Sequence, residues 1–229
     1  MHRQITALML SLAATGAQAL PVNFVSTQYN TSAFADVGGT ADGPNVDASP
    51  FTSLPLITSA NVAGTGGLAS ANAIADHFLL AASGEASAQA APASAAAVAS
   101  FLGEFVTQGS GLDLWLDYQD FSDLFGLSSA SSQLFVILRV DGVDLLNTQY
   151  GMGDLINLSF GTQEGLSGLL DLTLVSTATA DMGDYAFNLA SVDFSLNSVP
   201  EPASLALLLG GLGFLGLARM GGGHRPAMG

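Results

Sequence analysis

Strict period-two spacing runs through the middle of this chain, and it constrains the fold more than any other feature. Ala69, Ala71, Ala73 and Ala75 alternate with Ser70, Asn72, Ile74 and Asp76. Ala86, Ala88 and Ala90 alternate with Ser87 and Gln89, and Ala93, Ala95, Ala97 and Ala99 form a third set. Alanine is the best helix former, so composition alone argues for helix here. Spacing argues otherwise, because successive strand side chains point to opposite faces and a period of two is the strand signature. Strands are therefore expected over residues 68–100, broken near Gly84 and Pro92. An alanine-rich helix over residues 90–101 is the competing expectation.

From Phe101 onward the alternation is plainer. "LDLWLDY" puts Leu112, Leu114, Leu116 and Tyr118 on one face and Asp113, Trp115 and Asp117 on the other. "QLFVILRVDGVDLL" reads as a hairpin, since Asp-Gly between two apolar runs favours a tight turn. "DLINLSF", "LLDLTLVSTATA" and "DYAFNLASVDFSL" supply further strands. "FSDLFGLSSAS" is expected to carry one short helix. Residues 20–67 are rich in Thr, Ser, Asn, Gly and Pro. There a first strand near residues 22–27 is expected, then long loops and short strands, with Asp42-Gly43 and Pro44 as turn signals. The fold class that follows is all-β: an antiparallel β-sandwich, jelly-roll-like.

Charge narrows the partners. Residues 20–199 hold eighteen acidic side chains against a single arginine, Arg139, a formal charge of −17. Binding to nucleic acid needs clustered Lys and Arg, so no nucleic-acid partner is expected. There is no cysteine, which removes disulfides, thiolate nucleophiles and Cys-ligated metals.

The two ends read as addresses. Arg3 precedes an apolar run over residues 5–16, and Ala17, Gln18 and Ala19 form an A-x-A site. These are the three elements of a signal peptide in order, so residues 1–19 are expected to be removed after Ala19 by signal peptidase. At the other end, Pro200, Glu201 and Pro202 precede residues 203–218, which carry no charge. As a helix those sixteen residues would measure roughly 24 Å against a hydrocarbon core of about 30 Å. Arg219 and Arg225 follow as flanking basic residues, which orients the body away from the cytoplasm.

The segment "VPEPASLALLLGGLGFLGLARM" resembles a PEP-CTERM sorting signal: a Pro-Glu-Pro motif, an apolar helix and then basic residues. The resemblance covers residues 199–225. It implies recognition of Pro200, Glu201 and Pro202 by exosortase, a membrane-embedded transpeptidase-like enzyme, with processing near the motif. It also implies a Gram-negative host that makes extracellular polysaccharide. The body would then be held transiently at the inner membrane by the C-terminal helix and delivered to the cell surface or extracellular matrix. In that family the terminal basic residues are usually adjacent, whereas here "MGGGH" separates Arg219 from Arg225.

Between the ends, residues 20–198 show no catalytic pattern. A Ser-His-Asp relay needs a histidine, and His77 is the one available. On a strand, adjacent Asp76 would face away from it. "GLSG" at residues 165–168 is no nucleophile elbow. "GTGGLA" at residues 64–69 fits a glycine-rich turn better than a dinucleotide loop, which would need a βαβ unit. "LDLWLDYQDFSD" places Trp115 among Asp113, Asp117, Asp120 and Asp123, a combination able to stack on sugar. Asp117, Asp120 and Asp123, expected at a strand end and loop, are also candidate calcium ligands, and Asp42, Asn45 and Asp47 form a second cluster. Neither fits the EF-hand pattern. No other cofactor is expected.

The function expected is that of an exported, non-enzymatic surface or matrix protein with a structural or adhesive role in extracellular polymer or biofilm. The alternatives are a surface module binding carbohydrate or calcium, and a secreted hydrolase whose site is not visible in the sequence.

Overall fold

A computed structural model describes residues 19–50, 54–151 and 153–199. Thirteen strands follow one another: β1 (Leu20–Pro21), β2 (Phe24–Val37), β3 (Thr40–Pro50), β4 (Leu56–Gly64), β5 (Gly67–Asp76), β6 (Leu79–Ala88) and β7 (Ala93–Val106). Then come β8 (Gly111–Phe125), β9 (Ser129–Val140), β10 (Val143–Tyr150), β11 (Asp154–Gly161), β12 (Ser167–Ala180) and β13 (Tyr185–Val199). All pairings are antiparallel. One seven-stranded sheet runs β11-β8-β13-β6-β5-β4, with β1 beside the end of β13. The other sheet has six strands in the order β10-β9-β12-β7-β2-β3. Strands β6 to β9 alternate between the sheets, and β10 to β13 return alongside them, so β13 lies between β6 and β8 while β12 lies between β7 and β9.

The alanine parity is resolved as strand. Ala69, Ala71, Ala73 and Ala75 of β5, Ala82, Ala86 and Ala88 of β6, and Ala93, Ala95, Ala97 and Ala99 of β7 all face the core. No part of residues 90–101 is helical. Small side chains let the two sheets close together at this end. A Cβ built on Gly84 of β6 would stand 3.3 Å from the Ala95 carbonyl oxygen and 3.4 Å from the Ala178 Cβ, both in the facing sheet. At the other end the core is large and apolar: Leu112, Leu114, Leu116, Leu134, Leu138, Leu170 and Leu172 are fully buried with Phe101 and Phe105.

The Asp-Gly hairpin forms as expected. Asp141 and Gly142 both have positive φ, 50° and 76°, the combination that suits the right-handed twist of the flanking strands β9 and β10.

Two expectations are corrected. Phe121–Phe125 is the end of β8, and Gly126-Leu127 is a turn, so "FSDLFGLSSAS" carries no helix. The segment stays extended because it completes a fifteen-residue ladder with β13, ending at Phe125 opposite Tyr185. Residues 20–67 likewise form long strands. In β2, Tyr29, Thr31, Ala33, Ala35 and Val37 are buried in alternation, and the ladder to β7 on one side and β3 on the other satisfies the backbone. The turn between β2 and β3 falls at Gly38 and Gly39; Asp42, Gly43 and Pro44 instead form an irregularity within β3, opposite Ala33 to Ala35.

Hydrogen-bonded side chains bridge the sheets inside the core. Thr31 of β2 meets Thr58 of β4 at 2.6 Å, and Asn188 of β13 donates to Ser176 of β12 at 3.1 Å. Tyr118 of β8 meets Ser132 of β9 at 2.6 Å, and Ser132 donates onward to Asp120 at 2.6 Å.

Candidate functional site

The outer face of the seven-stranded sheet gathers the polar and aromatic side chains that alternation removes from the core. Along β8 this face carries Asp113, Trp115, Asp117, Gln119, Phe121, Asp123 and Phe125. Register with β13 sets Trp115 opposite Ser195, Asp117 opposite Asp193, Phe121 opposite Leu189, Asp123 opposite Phe187 and Phe125 opposite Tyr185. On its other side Trp115 is paired with Asn157 of β11. Phe187 is in turn opposite Glu85 of β6.

The ring-bearing part of this face is open to solvent. Phe121 and Phe125 are 60% and 68% exposed, too much for rings whose purpose is packing. Phe121 and Phe187 touch on the surface, with ring centroids 6.1 Å apart and planes tilted by 58°. Tyr185 stands at the end of the same patch. Its hydroxyl is pushed up from its ordinary value, first by burial of the ring and then by the nearby carboxylates of Glu85 and Asp123. Trp115, half-buried, lies six residues along β8 from Phe121, about 20 Å at strand rise. The face thus offers two aromatic stations separated by carboxylates, on a rigid sheet with little to reorganise on binding. Ring faces of this kind take the apolar C–H side of a pyranose, and carboxylates accept hydrogen bonds from its hydroxyls.

Strand alternation divides the expected calcium ligands. Asp117 and Asp123 face outward, about 20 Å apart, whereas Asp120 lies on the opposite side of β8 and accepts from Ser132. Among the described residues, no group of three or more His, Asp or Glu side chains could hold a metal ion. In the second cluster Asp42 and Asn45 do meet, at 3.3 Å, but as fasteners of the fold. Asp42 accepts from the Asn61 amide at 2.8 Å, and Asn45 donates to the Ser59 carbonyl at 2.8 Å, both on the edge of β4. Asp47 bonds to the neighbouring Ala48 amide.

His77 is a further correction. It sits in the turn between β5 and β6, so the strand rule does not separate it from Asp76. His77 Nδ1 lies 2.7 Å from Asp76 Oδ1, and hydrogen bonds from the His77 backbone and ring hold the Asp76 carboxyl below its usual range. "GTGGLA" is the β4–β5 turn.

Trp115 and its flanking acids were legible from sequence; Phe121, Phe125, Tyr185, Phe187 and Glu85 as parts of the same face were not. Their parity along β8 and β13 was the available signal. The expected helix at "FSDLF" broke that parity at Phe121.

Ala19 is the first described residue, immediately before β1. Ala17, Pro200, Glu201, Pro202, Arg219 and Arg225 lie outside the described residues, as does the apolar segment 203–218. Among the described residues no helix is long and apolar enough to cross a membrane.

No family model and no curated protein matches the chain. Among solved structures, it is similar to the carbohydrate-binding module TmCBM61, solved in complex with β-1,4-galactotriose. The match has 10% identity and a TM-score of 0.24, and it covers 64% of this chain and 88% of that one. It is also similar to a GH31 α-xylosidase from Xanthomonas citri, at 8% identity and a TM-score of 0.21, over 81% of this chain and 28% of the other.

Proposed function

We infer that this is an exported surface or matrix protein of adhesive, non-enzymatic role, and that its adhesion is glycan binding by the outer face of the seven-stranded sheet. The observation that carries this is the surface contact of exposed Phe121 with half-buried Phe187, in one face with Phe125, Tyr185, Trp115 and the carboxylates of Asp117, Asp123, Asp193 and Glu85. The interleaving of β6 to β9 with β10 to β13 supports a jelly-roll wiring, which presents a broad sheet of this kind with few exposed edges. Because the face is acidic, its ligand is a neutral or basic polysaccharide rather than a polyuronate.

The test is retention of the protein on immobilised neutral polysaccharides and on a glycan array. Phe121→Ala, Phe187→Ala and Trp115→Ala should each weaken binding by about two- to tenfold, the scale of one stacked ring. Equal retention of all three variants would sink the glycan site. Polysaccharide turnover, lost when one carboxylate is replaced, would instead favour a hydrolase.

Delivery is proposed on the sequence: signal peptidase removes residues 1–19, and exosortase processes the tail near Pro200, Glu201 and Pro202 after transient retention at the inner membrane. Intact mass of protein from the native host should show loss of the residues after about Pro202. Retention of residues 203–229 would refute the cleavage.

A further inference from the structure

Four strands end the two sheets, and three carry a device that blocks further pairing. On β4, the Asp42 carboxylate takes the Asn61 amide and the Asn45 amide takes the Ser59 carbonyl, so side chains of β3 occupy its open edge. The edge strand β3 is itself broken by the irregularity at Asp42 to Pro44 and carries Pro44, Pro50 and two aspartates. The edge strand β10 has a register shift between Asp144 and Leu146, and Asp144 is paired with Arg139 at 2.6 Å. Bulges, prolines and charges are the usual means of keeping a sheet edge from pairing.

The fourth edge, β11, has none of them. Its register with β8 runs unbroken from Asp154 to Gly161. Its sequence, "DLINLSFG", contains no proline and one charge, at its start. No side chain among the described residues is hydrogen-bonded to its backbone. The sandwich is also open on this side: β10 and β11 barely touch, whereas β3 and β4 pack together. Leu158 and Phe160 of β11 and Leu145, Leu146 and Tyr150 of β10 are consequently left half-buried at the mouth of the core.

We propose that β11 is an assembly edge, to which β11 of a second copy adds antiparallel, joining two seven-stranded sheets into one. The strand is complementary to itself. With Leu158 opposite its own copy, Ile156 falls opposite Phe160 on the core side, and Asn157 falls opposite Ser159 on the outer side. Opposed residues must share a face, and this register satisfies that for the whole strand. It covers the half-buried Leu158 and Phe160. It also sets the two Asp154 carboxylates about 27 Å apart along the strand, beyond the screening length at physiological salt. The charge pattern of the strand is therefore compatible with a copy of itself, in a chain whose body is otherwise strongly acidic. The outer faces would become continuous, with each Trp115 one strand in from the joint, about 14 Å from the equivalent strand of the other copy.

The test uses protein isolated from its native host, at high salt to screen the body's charge. Sedimentation equilibrium should show a concentration-dependent dimer, and the β11 amides should gain protection from hydrogen exchange as concentration rises. The double variant Asn157→Asp with Ser159→Asp places like charges directly opposite on both sides of the joint's centre and should be monomeric. The variant Asn157→Lys with Ser159→Asp places opposite charges there and should dimerise again. Both positions are exposed, and Ser159→Asp sets a second carboxylate opposite Asp113 in both variants, so the Lys/Asp variant controls for that cost while a circular dichroism spectrum checks that each is folded. A monomer at every concentration, a dimer indifferent to the paired aspartates, or failure of the Lys/Asp variant to dimerise would each overturn the proposal.

Discussion

Asp171 faces outward from the middle of the six-stranded sheet, in register with Ile137 of β9 and Leu102 of β7. Burial among these apolar neighbours pushes its carboxyl above the ordinary range. The charged groups diagonal to it do not compensate: Glu104 is acidic, and Arg139 is engaged by Asp144. The sign of the consequence is fixed by linkage. A carboxyl raised in the folded state contributes stability below its unfolded pKa and loses it as pH rises through the folded one. At neutral pH the ionised group is a cost, so Asp171→Asn should raise the melting temperature at pH 7. The gain should vanish in acid, where both forms are neutral; a gain equal at both pH values would assign it to packing. Tyr29 behaves likewise at the alkaline end. Its hydroxyl is pushed up to about 12, chiefly because burial disfavours the phenolate, so its contribution is lost as pH rises from about 10 toward 12. Tyr29→Phe should flatten the alkaline limb of the stability profile. Neither residue could have been singled out from sequence, because each shift depends on neighbours brought in by strands far along the chain.

At the scale of elements, legibility followed the strength of the alternation. "LDLWLDY" and the Asp141-Gly142 hairpin could be placed because large apolar and polar residues take turns and the turn chemistry is specific. The β2–β3 hairpin could not, because its buried positions are small or polar: Thr31, Ala33 and Ala35 look no different from the loop residues around them. What holds that region is polar. Asp42→Ala would remove the acceptor of the Asn61 amide and of the Asn45 side chain, and should cost about 1–3 kcal/mol by denaturant unfolding. Asp47→Ala, whose carboxylate among the described residues accepts from the adjacent Ala48 amide alone, should cost much less. The alanine strands make a separate prediction. Ala97 faces the closely spaced half of the sandwich and is fully buried. Ala97→Leu should therefore destabilise by about 1–3 kcal/mol, the usual cost of overpacking, although leucine is the more hydrophobic residue.

The whole molecule sets a cohesive core against a surface that repels itself. Residues 20–199 carry a formal charge of −17 with histidine neutral, and the one arginine among them, Arg139, is already beside Asp144. Such self-repulsion destabilises the compact state and keeps copies apart. Both effects should weaken as the screening length shrinks, from about 10 Å at 0.1 M salt to about 3 Å at 1 M. The melting temperature should therefore climb with sodium chloride, and assembly through β11 should strengthen over the same range. Retention on a neutral glycan should stay nearly constant, because ring stacking on an uncharged sugar involves no ion pair. Divalent cations discriminate further. Asp117, Asp120 and Asp123 are divided between two faces of β8, so calcium should raise the melting temperature no more than magnesium at equal ionic strength, and chelation should leave it unchanged. A stabilisation specific to calcium, saturating at low concentration, would mean that the carboxylates come together in a way the alternation of β8 does not allow.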